Sequence, residues 1–343
     1  MQIIDCKKLL RDLELLQPGL SPKGIIEQSD CFIFKGGFIT TFNDDIACTL
    51  ASDLKFTGAV QAKPLLALLK KITDKTIEVD VSERSLLIKG VRKNAAVRMQ
   101  AEIVLPIDDI NIPENGWKPL VDGFCEYIGV VYQCASKDES LFALTCVHIH
   151  PDYIEACDNT QLIRYNTKTK FTDSVLIRRE AMMHIAHLDV KEFVEAESWV
   201  HFKNAGGLVV SCRKHIDEYP KEIDSVLNIT GEKVILPDKI GTAAETAGIF
   251  SADKLNDDSI EIHLLPNKVK IKGEGQNGHY TEIQKLNYNG PEIRFLISPA
   301  MLNEVTIKQQ ECEVNQSCLK IDSGKFIYIT RLDAVGEDTD EAE

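Results

Sequence analysis

The sequence predicts an α+β protein built from three copies of one unit, in which two helices pack on antiparallel sheet. Hairpin patterns, with apolar residues alternating around Gly, Pro, Asn and Ser turns, recur at a spacing of about 115 residues. A helical pattern precedes each hairpin. The length agrees with this prediction, because 343 residues are more than a single domain usually contains and correspond to two or three domains.

Two hairpins are predicted in each unit. The first is predicted at residues 29–45, 145–159 and 259–275, and the second at residues 75–90, 198–212 and 312–329. The period of two in these stretches indicates strands with one buried face. Each unit is therefore expected to supply at least four strands.

Helical patterns occupy matching places in the three units. They cover residues 6–16, 122–135 and 238–250 before the first hairpins, and residues 63–72, 178–188 and 298–307 before the second ones. Pro64 and Pro299 stand where a helix begins, and Ser298 is a suitable N-cap. Turn-rich stretches near residues 111–119 and 228–237 predict domains at 1–115, 116–230 and 231–332, followed by a tail at 333–343.

Composition predicts a soluble cytoplasmic protein. Hydrophobic residues make up 44% of the chain and charged residues 27%, with no apolar run long enough for a membrane span and no signal-peptide pattern. The ten cysteines are scattered through apolar segments, which favours free buried thiols, and no C-x-x-C pair suggests zinc. His148 and His150 share a strand face, for which solvation is the favoured interpretation over metal binding. No cofactor is expected.

Three motifs, in the same order along the chain, resemble the bacterial DNA polymerase III beta subunit, the sliding clamp. They are ACDNTQLI (156–163), where that family has Ala-Thr-Asp-Gly-His-Arg-Leu, RKHIDEYPKEIDSVL (213–227), and FIYITRL (326–332). The resemblance implies three clamp domains per protomer and two protomers closing head to tail into a ring, with helices around the hole. It also implies a non-catalytic processivity factor that encircles duplex DNA and tethers the replicative polymerase and other clients.

The formal net charge of −14 is unusual for a DNA-binding protein. A ring that encircles a duplex needs only a local concentration of cations on its inner helices, and the binding should be weak and independent of base sequence. The helix candidates are Lys7, Lys8, Arg11, Lys63, Lys70, Lys71, Arg178 and Arg179. Lys23 and Lys137 are added by the resemblance, because they lie on loops that match DNA-contacting loops of the family.

The resemblance also implies a pocket for a short hydrophobic client peptide between the second and third domains. By position, its lining would include Cys157, Leu162, Pro220, Val226, Phe326 and Tyr328. Asn159, Thr160 and Gln161 replace the family's Gly-His-Arg, and Tyr328, Ile329 and Thr330 replace its Met-Pro-Met. We therefore expect clients with a different peptide preference, such as those of a virus or mobile element with its own polymerase.

The homodimer contact is predicted at Val97 and Met99, on an edge strand of the first domain, against Ile249 and Phe250 at the end of a third-domain helix. A trimeric ring stays open as an alternative. The tail at 333–343 has six acids among eleven residues, so we expect it to be disordered and either purely solubilising or selective for basic clients.

Two other function classes compete with the clamp. An enzyme is disfavoured, because no base or oxyanion motif accompanies Cys157 and Asp158 and no phosphate-binding loop occurs, so ring opening would need a separate clamp-loader ATPase. A repeat-built scaffold or adhesion protein is the remaining alternative. Basic helices and the pocket motifs favour the clamp.

Overall fold

The described residues in the first third of the chain form eight strands and two α-helices. The computed structural model describes residues 1–21, 26–251 and 259–332. The elements are β1 (Gln2–Asp5), α1 (Cys6–Leu15), β2 (Cys31–Lys35), β3 (Phe38–Phe42), β4 (Ile46–Ala51), β5 (Gly58–Gln61), α2 (Ala62–Leu69), β6 (Thr76–Ser82), β7 (Ser85–Gly90) and β8 (Lys93–Gln100).

The middle of the chain repeats this order and adds a one-turn helix. The elements are β9 (Lys118–Pro119), α3 (Phe124–Val131), β10 (Cys146–His150), β11 (Tyr153–Cys157), β12 (Gln161–Asn166), β13 (Val175–Arg178), α4 (Arg179–His187), β14 (Val190–Glu195), β15 (Trp199–Asn204), β16 (Val209–Arg213) and α5 (Ile223–Val226).

The last third repeats the order again. The elements are β17 (Glu232–Ile235), α6 (Ile240–Ser251), β18 (Ile260–Leu265), β19 (Lys268–Gly275), β20 (Gly278–Lys285), β21 (Ile293–Ile297), α7 (Pro299–Lys308), β22 (Glu311–Val314), β23 (Cys318–Asp322) and β24 (Phe326–Arg331). All six predicted hairpins and all six predicted helices are present, which confirms the threefold repeat and the α+β class.

Local sequence explains where the helices begin. The Asp5 carboxylate accepts a hydrogen bond from the Lys8 amide at 2.8 Å and caps α1, and Ser298 caps α7 ahead of Pro299. Apolar residues at helical spacing, such as Leu9 and Leu13 of α1, bury one side of each helix. No helix in the described ranges is long and apolar enough to cross a membrane.

The described strands form three antiparallel sheets. The first has the order β1-β6-β7-β8-β5-β2-β3-β4-β16-β15-β14-β9, the second β13-β10-β11-β12-β24-β23-β22-β17, and the third β20-β19-β18-β21. Two of these neighbours join successive repeats: β4 pairs with β16, and β12 pairs with β24. The same kind of strand pair therefore joins the first repeat to the second and the second to the third.

The chain divides into two compact units, which do not coincide with the three predicted domains. Unit 1 comprises Met1–Cys125 and Glu180–Ile216, and unit 2 comprises Glu126–Arg179 and the chain from Asp217 onward. Unit 1 holds the twelve-stranded sheet and unit 2 the other two. The three-domain boundaries stay a prediction. All ten cysteines are free and eight are buried, which confirms the prediction of free thiols.

Candidate functional site

An apolar groove of about 370 Å³ lies on one face of the joined strands β11, β12 and β24, within unit 2. Cys157 pairs with Leu162, and Leu162 pairs with Ile329, so the three side chains form one row across the sheet. The segment 217–229, which contains α5, covers one side of this row. The groove is lined by Leu144, Cys157, Leu162, Pro220, Ile223, Val226, Ile229, Cys318 and Ile329, with Asp158, Glu222 and Arg331 among the polar lining.

Four of the six predicted pocket residues line this groove: Cys157, Leu162, Pro220 and Val226. Phe326 and Tyr328 do not. Both are buried in the core, because β24 directs residues 326 and 328 to the face opposite Ile329. The sequence interpretation chose the wrong face of this strand. The neighbours that line the groove instead are Ile329 and Arg331.

A compact turn forms the floor at one end of the groove. The Asp158 carboxylate accepts hydrogen bonds from the Thr160 amide and hydroxyl, at 2.7 and 2.8 Å, and from the Gln161 amide at 2.8 Å. Gln161 Nε2 donates to the other oxygen at 3.2 Å. The residues that replace Gly-His-Arg therefore form a turn whose hydrogen bonds are made within the turn itself. The Asp158 carboxylate fixes its backbone.

A second cavity, of about 430 Å³, adjoins this turn and shares Asp158, Asn159, Thr160, Gln161 and Arg331 with the groove. Lys137, which was predicted to contact DNA, lines this cavity and is exposed. Lys23 lies outside the described residues, as does the acidic tail.

Behind segment 217–229 lies a buried ionic cluster that sequence reasoning missed. The buried Glu155 carboxylate bonds His148 Nδ1 at 2.7 Å and Arg164 Nε at 2.6 Å, and Arg164 Nη1 bonds Asp224 of the segment at 2.8 Å. The Arg164 guanidinium also lies 4.0 Å from the centre of the Tyr153 ring. The expected solvated face is thus wrong for His148, which is buried and paired with Glu155.

The cations predicted on the helices differ in whether they form ion pairs and in how exposed they are. Lys8 pairs with Asp53 at 2.9 Å, and Lys70 pairs with Glu14 at 3.1 Å. Arg178 lies at the end of β13 and donates to both carboxylate oxygens of Glu139. Arg179 begins α4 and is half-buried. Three others, Lys7, Lys63 and Lys71, are exposed.

The predicted dimer residues are placed unequally. Ile249 is 72% exposed, and Phe250 stacks on Tyr280 with 6.3 Å between ring centres. Val97 and Met99 are buried within unit 1, at 5% and 6% exposure, so their side chains offer no contact surface. The exposed face of β8 carries Asn94, Ala96 and Arg98 instead.

Among the strands with an open edge in the described part of the chain are β8 and β20. β8 pairs with β7 along Lys93–Arg98 but meets β5 only at Met99 and Gln100. β20 pairs with β19 alone. By their place in the repeat, β8 corresponds to β16 and β24, and β20 corresponds to β4 and β12. The open edges therefore belong to the two strand positions that join repeats elsewhere in the chain.

Comparison of the sequence with protein-family models gives no match, and comparison with curated proteins gives none either. Solved structures do match over nearly the whole chain. The DNA polymerase III beta subunit of Thermotoga maritima aligns with a TM-score of 0.75 and 16% identity, covering 97% of this chain and 99% of that chain. The chain has the sliding-clamp fold.

Two further sliding-clamp structures agree. The clamp of Bacillus subtilis has a TM-score of 0.76 and 15% identity, covering 97% of this chain and 98% of that one. The clamp of Pseudomonas aeruginosa bound to griselimycin has a TM-score of 0.72 and 14% identity, covering 97% and 99%.

Proposed function

We propose that this chain is a DNA sliding clamp, a processivity factor that encircles duplex DNA and tethers a replicative polymerase and other clients. The proposal rests on the edge of β8 along Lys93–Arg98, where β5 does not pair, and on the open edge of β20. These strands are the counterparts of the pairs β16–β4 and β24–β12, so the joining pattern used twice within the chain fits a second copy head to tail. Closure would leave none of these edges exposed to aggregation.

The proposed ring is a homodimer that is itself non-catalytic. The sequence contains no phosphate-binding loop, so ATP-driven opening is assigned to a separate clamp loader. The apolar groove is the proposed client site, because nine apolar or thiol side chains line it beside a fixed turn. A short hydrophobic peptide of the polymerase or another client would bury its anchors there.

Encirclement is tested by topological retention. Duplex DNA is attached to a bead at one end, rings are threaded from the free end at high protein concentration, and the free end is then blocked or left open before a wash in high salt. We expect retention only on blocked DNA, and release when a restriction enzyme cuts it. Equal retention on open DNA, or a base-specific footprint, would refute encirclement.

The mass in solution distinguishes the ring types. Light scattering should give twice the chain mass of 38.4 kDa at micromolar concentration. A stable monomer contradicts ring closure, and three times the chain mass contradicts the dimer. Calorimetry with griselimycin, the ligand of the P. aeruginosa clamp structure, would test whether this groove accepts the same ligand.

A further inference from the structure

The helices of the first repeat carry a different charge from those of the other two. α1 and α2 contain four cations and two acids, and Lys70 and Lys71 follow α2 directly. α3 and α4 together contain one cation, Arg179, and two acids, and Arg178, directly before α4, is paired with Glu139. α6 and α7 together also contain one cation, Lys308, and two acids, and Asp238 and Lys239 directly precede α6. Positive charge is therefore concentrated on one helix pair out of three.

The cations of α1 and α2 lie on a surface that points away from the core. The buried residues are Cys6, Leu9 and Leu13 of α1 and Ala62, Leu65 and Leu69 of α2. The two helices pack together, and the Lys70–Glu14 ion pair joins them at 3.1 Å. Lys7, Lys63 and Lys71 are exposed and have no ion-pair partner among the described residues.

The cation of α7 is not as available to a phosphate as the exposed lysines of the α1–α2 surface. Lys308 of α7 bonds Glu126 of α3 at 2.6 Å, so its charge is locally compensated. The other acids of these helices include Glu180 and Glu245, which are exposed. A phosphate brought near α6 or α7 would meet more negative than positive charge, and the Coulomb term would be unfavourable.

We propose that duplex DNA is contacted through the α1–α2 surface of each protomer, with Lys7, Lys63 and Lys71 as the phosphate ligands, and that the helices of the second and third repeats do not hold the backbone. This inference rests on the proposed function. Three unpaired lysines per protomer give a weak, sequence-independent contact, which suits sliding. The remaining helices of the ring then restrict where the duplex can lie, because they occupy space and because their acids repel its phosphates.

The test is the salt dependence of binding to a short duplex, followed by fluorescence anisotropy. Each phosphate contact contributes about 0.9 to the slope of log K against log salt concentration. The triple variant K7Q/K63Q/K71Q should flatten the slope by at least about 2 and weaken binding more than about tenfold at low salt. The matched control K89Q/K268Q/K325Q removes three exposed lysines from strands and turns and should leave the slope unchanged.

A further variant, K308Q, should also leave the slope unchanged. The inference is overturned if the α1–α2 triple variant keeps the wild-type slope, or if K308Q or the control flattens it equally. Circular dichroism and light scattering establish that the variants keep their fold and mass. Failure of the wild type to be retained on end-blocked DNA would refute the proposed function instead, whatever the slopes are.

Discussion

The Tyr219 hydroxyl donates a hydrogen bond to the Cys157 sulfur at 3.3 Å. This contact links segment 217–229 to strand β11, which forms part of the bottom of the groove. Burial raises the pKa of the Cys157 thiol to about 11, although the Tyr219 hydrogen bond acts in the opposite direction. Cys157 is therefore expected to behave as an apolar lining residue of the groove.

Alkylation of Cys157 should be slow in the folded protein. A pKa of about 11 in place of 9.0 leaves roughly a hundredfold less thiolate at pH 8. Treatment with iodoacetamide and peptide mass spectrometry should show at least that ratio between urea-unfolded and native protein. Tyr219→Phe removes a donor to the thiolate and should slow labelling further at pH 10. Native labelling at the unfolded rate would contradict this assignment.

The Glu155 carboxylate should be far more important for stability than Asp224, although both bond Arg164. Glu155 is buried, and replacing it with glutamine leaves the Arg164 charge without its buried partner, at a cost of about 3 kcal/mol. Asp224 is 75% exposed, so Asp224→Asn should cost no more than about 1 kcal/mol. Chemical denaturation of both variants makes the comparison, and equal losses would show that burial does not set the cost.

Stability should fall in acid partly through His201. Its side chain is fully buried beside Ser211, and burial lowers its pKa from 6.5 to about 4. The unfolded chain therefore binds a proton more readily, so this contribution is complete above about pH 6.5 and is lost as the pH falls toward 4. At pH 4.5 the loss is about 2 kcal/mol.

His201→Gln isolates that contribution. The difference in free energy of unfolding between wild type and variant should narrow by about 2 kcal/mol between pH 7 and pH 4.5. A difference that stays constant with pH would mean that His201 does not titrate on unfolding.

A charge on the open edge strand should prevent ring closure without unfolding the protomer. Ile283 lies on β20 and is 59% exposed, so Ile283→Asp adds a charge where a partner strand would pair. We expect light scattering to give the protomer mass. Ile216→Asp, at an apolar residue that is 99% exposed and lies outside β8 and β20, is the control and should keep the wild-type mass. The change Ile249→Ala with Phe250→Ala is likewise expected to give monomers.

The groove should lose peptide binding when its α5 wall becomes charged. Val226 lines the groove, whereas Ser225 beside it is exposed and does not. Random heptapeptides selected on the wild type should be rich in aliphatic and aromatic residues. Val226→Asp should weaken their binding more than about tenfold, the equivalent of about 1.4 kcal/mol, while Ser225→Asp should not. Equal losses would mean that net charge, rather than the groove, controls binding.

The sequence predicted helices and hairpins well because periodicity and turn chemistry are local properties. Its errors concern which face of a strand is buried. Phe326 and Tyr328 were assigned to the groove, and Val97 and Met99 to a contact surface, yet all four point inward. A strand's two faces differ by one residue, and pairing with a distant strand decides between them.

The ionic cluster shows the same limit. Glu155, Arg164 and Asp224 are brought together by strand pairing and by a segment about 60 residues further along the chain, and no local pattern marks them. A buried charge is predictable from sequence only once its partners are known. The Ile329 position in the groove could have been inferred only from the β12–β24 register.

The strand pairs β4–β16 and β12–β24 have a practical consequence for anyone dividing this protein. Cutting the chain near residues 115 and 230 would separate β16 from β4 and β12 from β24, and the excised middle repeat would expose two unpaired strand edges. Such a fragment should self-associate through those edges. We therefore expect single repeats cut from this chain to aggregate, and functional studies should use the undivided polypeptide.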